Sequence, residues 1–432
     1  MGKLERPKKI GILGPFGFGN LGDAAMQRAM IQHIRKYFPD AQIVGFSMNP
    51  EDTEARHSIA TYPITRRPEK DFTRSEMLWR DKKLAGRIAG WFQYNPNPSI
   101  RKMERVLVRI PTEVILAVQS YRHLAGLDLL IFSGGGQLDD LWGGPWKHPY
   151  VLCKFSLLAR LRRIKVFFVS VGVESVYTFF GKLFVKIALA QASYKSFRDR
   201  YSKDFVEQTK LDSSPGNVVY PDLAHSLDIL ENPTTEMHLH KAPVVGVNLV
   251  PFYDPRFWPL KDTAIYQDYL TKMAALVRWL LERKYIIKFI RSDIYPDSAA
   301  AVDLMKILNQ SGISYSEDQI LEPQIGDVDD LVEQLVDTDY VVASRLHTVL
   351  LAQDLGKPVI GLSYQSKIDK LMEDTGQAEY CLPIASFDPE NLQQQFIKLE
   401  ANCEEIEARL TRKAQEYRVA LDEQYERIFE LV

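Results

Sequence analysis

Short runs of Val, Ile, Leu and Phe recur along the chain at residues 9–13, 42–46, 128–132, 165–171 and 217–220. Runs of this length, bounded by turn residues, predict strands buried on both faces of a parallel sheet. Between them the spacing changes. Over residues 23–37 the positions Ala25, Met26, Ala29, Met30, Ile34 and Tyr37 trace one face of an amphipathic helix. A stretch without periodicity at 231–242, holding Pro233 and two histidines, breaks the alternation. It restarts with a strand at 244–249, a long helix at 263–283, and strands at 285–290, 340–343 and 358–362. Two β/α series predict an α/β protein of two Rossmann-like domains facing a cleft. The predicted division is residues 1–236, residues 237–387, and a helical segment at 388–432 that packs back on the first domain.

One region interrupts the first series. Residues 71–122 hold ten Lys/Arg against five Asp/Glu, with Trp79, Trp91 and Phe92 among them. They read as a helical insert, placed at about 71–125, with an apolar face at Val106, Leu107, Ile110, Val114, Ile115 and Val118. Such a face packs on its parent domain in the simpler reading. In the sharper one, the basic, aromatic-bearing surface, with Arg80, Lys82, Lys83 and Arg87, meets anionic lipid.

The 432 residues suffice for two cores, and a formal charge of -2 gives no basic bias toward nucleic acid. Three scattered cysteines, Cys153, Cys381 and Cys403, argue against a disulfide framework and a zinc site. A reducing cytoplasm is the expected setting, with peripheral contact at the inner face of the plasma membrane as the lipid reading of the insert. No cofactor or metal is expected.

Chemistry concentrates where strands give way to helices. Gly14, Gly17, Gly19 and Gly22 fall in a loop that reads GPFGFGNLGD through Asn20 to Asp23, where a helix begins. Glycines let backbone approach a ligand, and the helix N-terminus offers unpaired N–H groups. No Gly-Lys-Ser or Gly-Lys-Thr follows, which excludes the Walker pattern. A second loop, Ser133 to Asp140 with Gly134, Gly135 and Gly136, should open on the same sheet edge, where ligands of open α/β sheets bind. Asp23, Asp139 and Asp140 are candidate general bases toward sugar hydroxyls, or they only cap turns. Arg345 and His347, in SRLHT after the strand at 340–343, place a forked donor and an imidazole at another helix N-terminus. Arg198, in SFRDRYS, is either a further anion ligand or the partner of Asp199.

At these residues the chain resembles the polysaccharide pyruvyltransferase family. The matching segments are GNLGDAA at 19–25, SGGGQLDD at 133–140, FRDRYS at 197–202 and SRLHTVLLAQDLGKPVIGLSY at 344–364, in the family's order. The last, with Lys367 and Asp369 just beyond, is the most specific. The resemblance implies a fold like that of GT-B glycosyltransferases, with phosphoenolpyruvate as donor substrate in the interdomain cleft. Its Arg-Asp and Arg-Leu-His motifs carry the donor-binding roles over to Arg198, Arg345 and His347, with Arg345 and His347 catalytic. The glycine loops, through Gly19, Asn20, Asp23, Gly134, Gly135, Gly136 and Asp139, would face the acceptor. That acceptor would be a sugar or lipid-linked oligosaccharide in cell-surface polysaccharide (exopolysaccharide) biosynthesis. Ala24 departs from the pattern, standing where the family commonly has glutamate. Two rivals remain open: a nucleotide-sugar-dependent GT-B glycosyltransferase, against which Leu351 occupies the position of the ribose-binding glutamate, and a non-catalytic scaffold of a polysaccharide assembly complex.

Overall fold

The computed structural model describes residues 6–65, 110–141, 143–212, 214, 216–230 and 240–432. Two parallel sheets organise these residues. The first comprises β1 (Lys9–Leu13), β2 (Gln42–Ser47), β3 (Ala60–Pro63), β4 (Leu129–Ser133), β5 (Lys165–Val171), β6 (Tyr194–Phe197) and β7 (Val218–Val219), in the order β3-β2-β1-β4-β5-β6-β7. The second comprises β8 (Val244–Asn248), β9 (Ile286–Ile290), β10 (Ile320–Leu321), β11 (Tyr340–Ala343), β12 (Val359–Ser363) and β13 (Cys381–Pro383), in the order β10-β9-β8-β11-β12-β13. Each order reverses once, between β1 and β4 and between β8 and β11. Crevices open at those two points, outside the strands' carboxyl ends.

Register keeps the loops level. Leu13 lies opposite Phe132, so both glycine loops leave the first sheet side by side. Ala343 lies opposite Asn248, so Ser344 and Arg345 emerge beside the end of β8. The helices that carry the cleft are α1 (Leu21–Tyr37), α2 (Pro50–His57), α3 (Ile110–His123), α4 (His148–Leu161), α5 (Phe179–Leu189) and α6 (Arg200–Gln208) in the first half. In the second half they are α7 (Thr263–Glu282), α8 (Ile294–Gln310), α9 (Val328–Val336), α10 (Leu346–Asp354) and α11 (Ser366–Asp374), followed by α12 (Pro389–Ala401) and α13 (Cys403–Glu430).

One face of the first sheet buries Ile10, Ile12, Leu129 and Ile131 against Met26, Met30 and Ile34 of α1, and this core runs without a break into the second domain. The opposite face packs Leu13, Leu130, Phe132 and Phe168 beneath α4 and α5. The last helix, α13, returns to the first domain. Gln424 there accepts from Ser196 Oγ at 2.6 Å and donates to Ser170 Oγ at 3.0 Å, and Tyr425 stacks on His33 with ring centroids 3.8 Å apart.

Several expectations shift. The first helix begins at Leu21 because Asn20, and not Asp23, caps it, accepting from Gly22 N at 3.1 Å and Asp23 N at 3.2 Å. The 217–220 run shortens to the edge strand β7. Of the basic insert, Arg80, Lys82, Lys83 and Arg87 and the apolar positions Val106 and Leu107 lie outside the described residues. Where α3 is described, Val114, Ile115 and Val118 are exposed, not packed on the parent domain. Among the described residues, no helix is long and apolar enough to cross a membrane, and no cluster of His, Cys, Asp and Glu could hold a metal ion.

Candidate active site

The two sheet edges meet through backbone. Leu21 N donates to Ser292 O at 2.8 Å and Ile294 N donates to Gly19 O at 3.0 Å, so the first glycine loop is bonded to the β9–α8 turn. Gly19 holds φ +80°, a left-handed conformation that glycine adopts without strain. The junction closes a cavity of about 290 Å³ lined by residues of both halves. Asn20, Asp23, Gly135, Gly136 and Arg198 line it from the first sheet, and Asp293, Arg345, His347, Tyr364 and Lys367 from the second. Gly134 sits one step back under Met26, and Asp139 and Gly19 also stand outside the lining.

Glycine serves side chains here as well as turns. A Cβ on Gly22 would fall 2.0 Å from His347 Nδ1, so the bare first turn of α1 is the seat of an imidazole from the other domain. A Cβ on Gly172, just past β5, would lie 2.6 Å from Arg198 Nε. Both basic groups reach the cavity through space that any larger residue would fill.

Arg345 caps α10 through its backbone and is fixed on three sides. Its N–H donates to Asn248 Oδ1 at 3.0 Å, and its Nε and Nη2 donate to Asp297 Oδ1 at 3.0 and 2.7 Å. Asp293 Oδ2 stands 3.3 Å from Nη2. The fork read from sequence as an open anion clamp is therefore half occupied by carboxylates, and Nη1 makes no hydrogen bond with the described residues. Burial pulls the guanidinium pKa down, but Asp297 and Asp293 outweigh it and hold the pKa above its usual range. Asp297 is itself anchored by the N–H groups of Ser292 and Asp293 at 3.1 and 2.9 Å.

Arg198, His347 and Asp222 form a second, unfinished cluster. Asp222 Oδ2 lies 3.7 Å from Arg198 Nη1 and 3.8 Å from His347 Nε2, beyond hydrogen-bond range. Asp222 Oδ2, His347 Nε2 and Arg198 Nη2 are all buried with no hydrogen-bond partner. Three such atoms converging beside one cavity call for a ligand or ordered water. Arg198 Nε reaches Asp199 at 3.3 Å, but the Arg198 side chain is only 6% exposed, so the two form no surface ion pair.

Burial sets the protonation of the walls. It lowers the His347 pKa to about 4, with Asp222 opposing and Arg198 and Lys367 adding to the fall, so the imidazole is neutral at pH 7. It raises Asp23 to about 7, helped by Asp293 and opposed by Lys367. It also raises Asp293 to about 6 against the pull of Arg345. Lys367 is lowered by burial and sits 3.6 Å from Glu174 of the first domain. No described residue donates a hydrogen bond to the Asp23 carboxylate. Asp140, by contrast, is consumed within its loop, accepting from Tyr177 N, Thr178 N and Thr178 Oγ1 at 3.0, 2.9 and 2.6 Å. Asp139 accepts from Leu141 N and Ser175 Oγ at 2.7 and 3.2 Å.

Sequence reasoning passed over Asp222, Asp293 and Asp297. The first two follow strand ends at Val219 and Ile290, so applying the carboxyl-edge rule to every strand would have flagged them. Ala24 is 5% exposed within the core, so a glutamate there would be a buried carboxylate.

Two doubly wound sheets whose carboxyl edges share one cavity define a GT-B-type two-domain α/β protein. The chain belongs to the polysaccharide pyruvyl transferase family, whose model matches residues 20–366. Similar folds include the UDP-bound S. aureus MnaA, at TM-score 0.59 and 11% identity over 98% of this chain and 95% of that one. The Neisseria meningitidis UDP-GlcNAc 2-epimerase bound to UDP-GlcNAc aligns at TM-score 0.55 and 11% identity, over 96% and 100%. Acinetobacter baumannii MurG aligns at 0.50 and 14%, over 98% and 100%. At such identities these neighbours speak for the fold alone.

Proposed function

We propose that the cavity binds phosphoenolpyruvate and transfers its pyruvyl group to two hydroxyls of one sugar as a cyclic ketal, in cell-surface polysaccharide biosynthesis. The observation that carries this reading is the convergence of Arg198, Arg345, Lys367 and the N-terminus of α10 on one cavity with His347 between them. The donor's carboxylate and phosphate need that many fixed positive groups in a small volume. Its charge offsets Arg198 and Lys367, the two cations that help hold His347 neutral, so the imidazole takes up a proton as the donor binds.

The protonated imidazole then delivers its proton to the methylene carbon of the donor, making C2 electrophilic. Asp23, with a raised pKa and a free carboxylate at the wall, accepts the proton of the first sugar hydroxyl as its oxygen bonds to C2. The second hydroxyl attacks C2, the bond from C2 to the phosphate oxygen breaks, and phosphate leaves with that hydroxyl's proton. Release of the Asp23 proton to solvent as the products leave returns Asp23 to the carboxylate and leaves His347 neutral, ready to take up a proton with the next donor.

Titration calorimetry with phosphoenolpyruvate, in buffers of different ionisation enthalpy between pH 6 and 8, should show proton uptake approaching one per site. Affinity should weaken as pH rises. With a suitable glycoside acceptor, phosphate release should depend on His347. Tight binding of a UDP- or GDP-sugar with no response to phosphoenolpyruvate would favour the glycosyltransferase reading instead. Leu351 counts against it: the side chain is fully buried in the core and cannot meet a ribose. Phosphate release that never occurs, with wild type and His347→Ala alike, would point to a scaffold.

A further inference from the structure

The loops that follow β4 and β5 carry an aromatic surface that the chemistry above does not use. Trp146 is 62% exposed, Tyr177 73%, Phe179 75% and Phe180 46%, and Leu183 on the next turn of α5 is exposed too. The rings of Trp146, Phe179, Phe180 and Phe184 form one patch, with Tyr177 and Leu183 close to it in the chain. The Trp146 ring lies 5.5 Å from that of Phe180 and 5.1 Å from that of Phe184, and Phe179 meets Phe180 at 5.4 Å. Contiguous exposed rings of this kind mark an interaction site more often than scattered apolar residues do.

Charge narrows the partner. Of the ten lysines and arginines between residues 141 and 198, Lys154, Lys195 and Arg198 are largely buried beside carboxylates, and those that flank the rings are Lys147, Lys182 and Lys186. Lys147, next to Trp146, and Lys182 and Lys186 on α5 are exposed, and none forms an ion pair with the described residues. A flat anionic surface with an apolar layer beneath satisfies the rings and the ammonium groups together.

Position connects the patch to the cavity. Asp140 ends the loop whose Gly135 and Gly136 line the cavity, and the same carboxylate holds the Tyr177 and Thr178 N–H groups at the start of α5. Gly181 permits this approach, since a Cβ there would fall 2.4 Å from Asp140 Oδ2. One short rigid loop therefore joins the acceptor side of the cavity to the aromatic patch.

We infer that Trp146, Tyr177, Phe179, Phe180 and Leu183, with Lys147, Lys182 and Lys186, seat the protein on an anionic bilayer, so that a lipid-borne sugar enters the cavity from the membrane side. The choice of acceptor rests on the function proposed above; the docking surface does not.

The test is flotation of the full chain with vesicles of phosphatidylcholine alone or with 30% phosphatidylglycerol, without donor or acceptor. Binding is expected only with the anionic vesicles and is expected to fall with salt. Lys182→Glu/Lys186→Glu should weaken it by about fivefold or more per lysine, and Phe179→Ser/Phe180→Ser by at least about tenfold. The aromatic variant should keep its thermal midpoint and its turnover of a soluble acceptor while losing turnover of a lipid-linked one. Equal flotation of wild type and both variants overturns the inference, as does absence of flotation with anionic vesicles. It is also overturned if sedimentation shows a wild-type dimer that Phe179→Ser/Phe180→Ser dissociates, which would assign the patch to a second copy of the chain. Flotation needs no phosphoenolpyruvate, so failure of the proposed reaction leaves this result readable.

Discussion

The two points at which strand order reverses share a topology and differ in material. Beside β1 and β4 the loops are glycine, with Gly17, Gly19, Gly134 and Gly135 all at positive φ. Beside β8 and β11 the corresponding ground is filled by Asn248, Asp297 and Arg345, each bonded to another of the set. The first edge supplies space and backbone; the second supplies charge held in place by its own counter-charges. The exchange is mutual, because Gly22 of the first edge exists in the form needed to admit His347 of the second. Preorganised charge beside shaped emptiness is what a small, highly anionic substrate requires.

The comparison breaks most severely at Arg345. Arg345→Ala should lower kcat/KM by about a thousandfold, and stability should fall by about 3 kcal/mol because Asp297 is left buried without its cation. Denaturant unfolding and steady-state kinetics on one preparation measure both. Arg345→Lys should recover part of the stability and little of the turnover, since an ammonium cannot reproduce the fork.

Next in size is Gly22→Ala. The added Cβ would lie 2.0 Å from His347 Nδ1 and must displace the ring. Turnover should drop by about a hundredfold, the range of a lost acid–base group. Adding Gly22→Ala to His347→Ala should cost little more, and additive losses would separate the glycine from the histidine. Gly172→Ala, which crowds Arg198, should raise KM for the donor about tenfold with a smaller change in kcat.

The smallest effect is on stability at Asp23. Its pKa rises from 3.8 to about 7 on folding. Below pH 3.8 the carboxyl is neutral in both states and costs nothing. Between pH 4 and 7 the unfolded chain is ionised while the folded one must hold a proton, and stability declines through that window and levels above about 7. Asp23→Asn should therefore stabilise by about 1–2 kcal/mol at pH 8 and by less at pH 5. A gain independent of pH would show that the carboxylate is not under strain.

Much of this frame is legible in the sequence, for a physical reason. Strands such as β1, β4, β5, β8 and β12 are buried on both faces and read as unbroken apolar runs. β3, β10 and β13 are two to four residues long, too short to carry a period, and appear only through their neighbours. The glycine loops and the Arg-Leu-His turn are local, so their residues could be named. What surrounds them is not local. Asp297 meets Arg345 across 48 positions and Asp222 faces His347 from the other domain, contacts set by packing alone. The neutral state of His347 was equally invisible, because burial is a property of the assembled cleft.

The return of α13 has a consequence for the order of synthesis. Gln424 is the partner of Ser170 and Ser196, buried hydroxyls 254 and 228 positions earlier in the chain. While a ribosome is still making the second domain, the first sheet keeps these groups, and the apolar shelf that Tyr425 and Phe429 cover, without their partners. The domain made first is thus finished last, and a nascent chain halted before residue 424 should display its amino-terminal half to chaperones and proteases.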